Sequence, residues 1–159
     1  MRVVVLGIGN LLMSDEGVGV HAAWALQEAF VLPSEVEVVD GGTTGMELLP
    51  ELEDLDHLIV IDAVRLGKPP GTVARLVGDD VPAFFKTKLS PHQVGLSDIL
   101  ATLRFAGRSP GRIVLIGIEP ASLEMGMALS AAVAPRVDEV VALLVGELTA
   151  IGLTMERRA

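Results

Sequence analysis

The chain has 159 residues, half of them hydrophobic, a formal net charge of −9 and no cysteine. That charge argues against a nucleic-acid surface or an anionic membrane. The missing cysteines remove disulfides, zinc–thiolate sites and a cysteine nucleophile together. With no tyrosine and a single tryptophan, Trp24, stacking on bases has little to work with. No uninterrupted apolar run reaches the ~18 residues that cross a bilayer. Arg2 followed by Val3 to Met13 faintly resembles a signal peptide, but Asp15 and Glu16 follow at once and no small-residue cleavage site is visible. These features lead to the expectation of one soluble, cytoplasmic domain spanning residues 1–159.

Val3 to Ile8 is an apolar, β-branched run that suits a buried strand. Gly7 and Gly9 break it, and a helical pattern runs from about Gly17 to Phe30, with Trp24, Ala25, Leu26, Ala29 and Phe30 at helical spacing. Strand, glycine turn and helix in this order look like the first unit of a dinucleotide-binding fold. Leu12, however, stands where G-x-G-x-x-G needs its third glycine. Asp15 and Glu16 occupy the helix start, where a pyrophosphate would sit. Two carboxylates there repel an anion and attract a cation.

Pro33 and Ser34 close that unit, and Glu35 to Asp40 alternates like a strand that stops at Gly41 and Gly42. Thr43 or Thr44 is a candidate cap for a short helix running to about Leu52. His57 to Asp62 is a second buried strand, ending on a carboxylate. This βαβαβ alternation predicts a parallel sheet covered by helices on both faces. Gly67, Pro69, Pro70 and Gly71 then exclude a helix before Thr72 to Val77, which alternates as a strand. The link is too short for a parallel crossover. That strand is therefore expected antiparallel at a sheet edge, with Arg75 facing water. Gly78 to Val94 reads as a long loop containing Asp79, Asp80, Pro82, Pro91 and His92, and loops of that length are usually functional or disordered. Leu96 to Phe105 reads as a helix and Arg112 to Ile118 as the last buried strand. Glu119 to Ser130 is irregular, with Met125 and Met127 read as gap-filling core or groove residues. Ala131 to Ile151 is expected to form a C-terminal helix, started near Pro135 and limited by Gly152, before a frayed tail from Glu156 to Ala159. The fold class that follows is three-layer α/β/α: a doubly wound, twisted, mostly parallel sheet of about five strands with one antiparallel edge strand.

Ligands of such sheets bind in the crevice at the carboxyl ends of the strands. Glu16 follows the first strand, Asp62 ends the third, and His92 lies in the long loop. Two carboxylates and an imidazole suit nickel, zinc, cobalt or iron rather than a thiolate-seeking ion. Each has a plainer reading as well: Glu16 on the helix dipole, Asp62 as a turn cap, His92 as a polar loop residue. His57 is expected at the entry of a buried strand, on the wrong edge for this site, and His21 on the surface of the first helix. Asp40 could bind a ribose hydroxyl, but is better read as holding the Gly41-Gly42 turn.

Taken together, GIGNLLMSDEGVG (Gly7 to Gly19), DGGTTGMELL (Asp40 to Leu49), DHLIVIDAV (Asp56 to Val64) and SPHQVGLSDIL (Ser90 to Leu100) resemble the hydrogenase maturation endopeptidases, in the same order and spacing from Met1 to about Pro120. That family trims the C-terminal extension from the large subunit of nickel-iron hydrogenases. The resemblance implies that Glu16, Asp62 and His92 bind a metal and carry catalysis. The metal it implies is nickel supplied by the substrate, with another divalent ion able to occupy the free site. The implied partner is a nickel-loaded large-subunit precursor, cut after a basic residue that follows its last metal-binding cysteine motif. The backbone around Gly41, Gly42 and Thr43 is the candidate for orienting the substrate strand or an oxyanion. The chain is expected to act as a monomer without nucleic acid or membrane insertion.

The manner of bond cleavage is open at this stage. No G-x-S-x-G is present, and Ser14 has no evident histidine partner. Glu16 and Asp62 could share a proton as aspartic proteases do only if no metal separated them. Water attack at a carbonyl positioned by the metal is favoured. The alternatives are a non-catalytic nickel-binding accessory protein, a dinucleotide-binding enzyme using Gly7, Gly9 and Asp40, and a general peptidase that would cut unrelated denatured proteins.

Overall fold

The computed structural model describes residues 1–43, 45–78, 80–81 and 91–159, with the backbone alone for 91–95. In chain order its elements are β1 (Val3–Ile8), α1 (Val18–Ala29), β2 (Phe30–Val31), β3 (Val36–Gly42), α2 (Leu49–Leu52), β4 (His57–Ala63), β5 (Val73–Val77), α3 (Pro91–Phe105), β6 (Arg112–Ile118), α4 (Arg136–Ala150) and β7 (Glu156–Arg157). Short 3-10 turns stand at Ser14–Gly17 and Met46–Leu48. The central sheet has five strands in the order β3-β1-β4-β6-β5. All its pairings are parallel except β5 on β6, which is antiparallel as the short 64–72 link requires.

The apolar runs are continuous because the sheet is covered on both faces. Val3 and Val5 of β1 pack with Ile59 and Ile61 against α1 and α4. Their neighbours Val4, Leu6 and Ile8 pack with Leu58 and Val60 against Leu52 of α2 and Ile99 and Leu103 of α3. Helix α1 lies close because its sheet side is small: a Cβ on Gly19 would collide with the carbonyl oxygens of Ile61 and Ile8. The buried face of α1 is Val18, Val20, Ala22, Ala23 and Leu26, and Trp24 lies off that face, 40% exposed.

Several boundaries differ from the sequence reading. Helix α3 begins at Pro91, not Leu96, so His92 sits in a helical first turn rather than in a loop. Proline suits that first position, where its missing N–H costs nothing. Asp79 and residues 82–90, the rest of the expected loop, lie outside the described residues. Helix α4 starts at Arg136, next to Pro135 as expected, and not at Ala131, the outer bound of the reading. The turn before α2 is capped by Gly45 rather than Thr43, and Thr44 lies outside the described residues. The C-terminal tail is not frayed: β7 pairs antiparallel with β2, Arg158 N–H donates to the Ala29 carbonyl at 2.9 Å, and the Arg157 guanidinium lies 5.2 Å from the Phe30 ring centre. Arg75 on the edge strand is partly exposed as expected, and it is ion-paired with Glu147 of α4.

Candidate active site

The carboxyl edge of the sheet is built around the loop from β1 to α1. That loop folds back so tightly that a Cβ on Gly9, at φ +136°, would collide with the Glu16 carbonyl. Only glycine accepts both that conformation and that approach. Glu16 follows in the 3-10 turn, half-buried, with its N–H donating to the Met13 carbonyl at 3.2 Å. The turn packs against β4. Gly19, one turn further on, presses on the carbonyl of Ile61, the residue before Asp62. Glu16 and Asp62 therefore share one edge, and Asp62 is fully buried there with both carboxylate oxygens out of water.

His92 reaches the same edge by topology. Helix α3 leads through residues 106–111 into β6, so its C-terminal end lies at the amino edge of the sheet. Its 15 residues span about 22 Å, which carries the first turn back towards the carboxyl edge, and the helix touches the Met46–Leu48 turn that follows β3. The side chain of His92 lies outside the described residues. Among the described residues, no group of three histidines or acids is close enough to hold an ion.

Two further buried acids line this edge: Asp15, read from the sequence only as a cation-attracting acid at the helix start, and Glu119, which the sequence reading did not single out. Asp15 has no exposed surface. Its carboxylate accepts the N–H groups of Ala121 (2.9 Å), Ser122 (3.0 Å) and Ser130 (2.8 Å), and the Ser130 hydroxyl (2.8 Å). Burial alone would raise its pKa. The hydrogen bonds from Ser130, Ser122 and Ala121 outweigh that and hold it below the usual aspartate value. Glu119, 5% exposed at the end of β6, accepts the N–H groups of Leu66 (2.8 Å) and Lys68 (2.9 Å) in the segment after Asp62. The partners stand between 51 and 115 residues away in sequence, so no local spacing could have revealed them.

The remaining candidates separate cleanly. Asp40 holds the Gly41-Gly42 turn as expected, taking the Gly42 N–H at 2.9 Å; that N–H is thereby engaged within the loop. Thr43 is exposed in the turn after β3. His57 opens β4 beside Val3 and Arg112, at the opposite edge. His21 is only partly at the surface: its Nε2 is buried, its ring meets Trp24 edge-on, and burial pushes its pKa down. Met125 and Met127 are not core residues, being 87% and 70% exposed, which leaves the groove reading. They flank Gly126, whose N–H donates to the Leu12 carbonyl (2.8 Å) and whose carbonyl accepts the Ser14 N–H (2.8 Å). Together with Leu12, 57% exposed, they form an apolar rim beside the turn of Glu16. The loop where a dinucleotide phosphate would bind is thus closed by a turn bearing two acids.

Comparison with known proteins points one way. The sequence model of the hydrogenase maturation proteases matches residues 20–147. The hydrogenase 2 maturation protease of Escherichia coli is 46% identical over 149 residues, covering 91% of each chain. The hydrogenase expression/formation protein HupD of Rhodobacter capsulatus is 46% identical over 160 residues, covering 99% of this chain and 76% of that one. Among solved structures, the hydrogenase maturating endopeptidase HybD from E. coli superposes with a TM-score of 0.97 at 42% identity, covering 99% of this chain and 98% of that one. The [NiFe] hydrogenase maturation protease HybD from Thermococcus kodakarensis gives 0.77 at 29% identity, covering 92% and 99%. With its sheet order, its acid-bearing first turn and the matched sequence all in agreement, this chain belongs to the hydrogenase maturation protease family.

Proposed function

We propose that this chain removes the C-terminal extension from the precursor of a nickel-iron hydrogenase large subunit once nickel has been loaded, and that Glu16, Asp62 and His92 contact that nickel. The observation that carries the reading is the seating of Gly19 on the Ile61 carbonyl, which draws the turn of Glu16 onto the strand end where Asp62 is buried. Carboxylate and imidazole donors suit a borderline divalent ion. The nickel arrives as part of the substrate, held by the substrate's own cysteines. A chain without cysteine offers no thiolate to compete for it. The ion is then a recognition mark and a reference point that sets the scissile bond beside the site. Water adds to the scissile carbonyl, the C–N bond breaks, and the products leave as a new carboxylate and a new amine. Gly41, Gly42 and Thr43 receive the substrate strand. The rim of Leu12, Met125 and Met127 supports a protein substrate, because methionine side chains adapt to a folded surface. The chain acts as a monomer in the cytoplasm, the compartment where nickel-carrying thiols stay reduced.

The test is incubation with nickel-loaded precursor, metal-free precursor and an unrelated denatured protein, each followed by product mass. Only the nickel-loaded precursor is expected to shorten. Equal cleavage of the metal-free form would remove nickel as the mark. Tight nickel binding with no shortening of any precursor would favour the accessory-protein reading.

A further inference from the structure

We propose that Asp15 is the positioning residue of this site: its buried carboxylate locks residues 121–130 onto the turn that carries Glu16, and so sets where Glu16 stands relative to Asp62. The inference rests on the reading of Glu16 as a group that contacts the substrate's metal.

The lock is dense and non-local. Asp15 takes the N–H groups of Ala121, Ser122 and Ser130 and the hydroxyl of Ser130, while its own N–H donates to the Ser122 carbonyl at 3.1 Å. The residue before it is held as firmly. Ser14 lies at φ +52°, a left-handed conformation that costs a non-glycine residue energy. Its hydroxyl donates to the Glu124 carbonyl at 2.6 Å and its N–H to the Gly126 carbonyl at 2.8 Å, and Met13 forms a parallel bridge with Gly126. Glu16 is the next link in this chain of fixed peptides, so its backbone cannot rotate without breaking the lock. Every group aimed at Asp15 is a donor, and a carboxylate is the side chain that only accepts. Asparagine at this position would set an NH2 against N–H groups. The same lock fixes the segment bearing Met125 and Met127, so one buried acid aligns both the Glu16 turn and the apolar rim.

The experiment compares Asp15→Asn, Ser130→Ala, Ser130→Thr and Glu16→Gln in the full chain. The readouts are thermal melting, amide NMR spectra, and kcat and KM on nickel-loaded precursor, at a temperature where each variant is folded. Asp15→Asn is expected to keep the amide resonances of β1 and β4 while that of Glu16 shifts or broadens, and to lose about 10- to 100-fold in kcat/KM, the cost of a misplacement near 1 Å. Ser130→Ala should lose several-fold in the same way, and Ser130→Thr should restore the rate by restoring the hydroxyl. Asp15→Asn processing at the parental rate would overturn the inference. If Asp15→Asn does not fold, Ser130→Ala decides: a parental rate overturns the inference, and a loss rescued by threonine supports it. Full activity in Glu16→Gln would instead overturn the reading of Glu16 itself, whatever the Asp15 and Ser130 variants do.

Discussion

The two edges of the central sheet handle charge in opposite ways. At the amino edge, acids meet guanidinium groups and chain ends in water. Arg108 lies 3.0 Å from Glu53 and 3.6 Å from Asp54, the Arg2 guanidinium donates to the Glu53 carbonyl, and the Arg2 N–H donates to Asp56. At the carboxyl edge, Asp15 and Glu119 are buried and satisfied by backbone N–H groups from distant segments. Exposed ion pairs contribute little, because solvent screens them and the side chains lose freedom to make them. A buried acceptor is different: removing it strands its donors without water. The amino edge is therefore tolerant, and the carboxyl edge, where Glu16 and Asp62 stand, is held rigidly.

The largest effects that test this contrast are on activity. Asp62→Asn and His92→Ala are expected to reduce processing about 10²-fold or more with the fold retained, whereas His57→Ala at the amino edge should lower the melting temperature more than the rate. A precursor-processing assay beside a thermal melt checks all three. Normal processing by His92→Ala would withdraw His92 as a ligand.

Next come the buried acids. Glu119→Ala leaves the N–H groups of Leu66 and Lys68 without their acceptor and should cost about 2–4 kcal/mol in urea unfolding. Glu119→Gln, which keeps an acceptor oxygen, should cost less. An equal loss in both would mean that the charge, not the acceptor, matters.

Acid sharpens the same contrast. Asp15 is held below its ordinary value when folded, so the unfolded chain takes up its proton first. The stability this contributes is complete above the ordinary aspartate value of about 3.9 and is lost as pH falls through the lower folded value. Stability measured from pH 5 downward should fall less steeply in Ser130→Ala, which removes one of the bonds that depress the pKa. An unchanged slope would deny Asp15 that role. The smallest effect is expected at the amino edge: Arg108→Ala should cost no more than about 1 kcal/mol, and less at high salt. A larger, salt-independent loss would break the comparison.

Much of the fold was legible because it is written in local pattern. The apolar runs at Val3–Ile8, His57–Ala63 and Arg112–Ile118, and the proline- and glycine-rich link before β5, translate directly into strands and their direction. The misreadings share a cause in tertiary context. Pro91 reads as part of a loop in the sequence, yet proline is at home in the first turn of a helix and begins α3. Trp24 has helical spacing, but the buried face of α1 is filled by Val18, Gly19, Val20, Ala22, Ala23 and Leu26, which leaves the indole outside the core. The tail from Glu156 looks free until β2 supplies its partner strand.

What the sequence by itself determined was the architecture, the family and the residue types of the candidate site, because periodicity, strand ends and motif spacing are properties of neighbouring residues. What only the tertiary structure decided was which acids are buried under distant segments of the chain and which are left partly exposed. Asp15 and Glu16 are adjacent and alike in sequence. One is buried under the 121–130 segment and the other is left half-buried at the sheet edge where Asp62 ends its strand. That division depends on hydrogen-bond donors brought from more than 100 residues away, and folding alone puts them there.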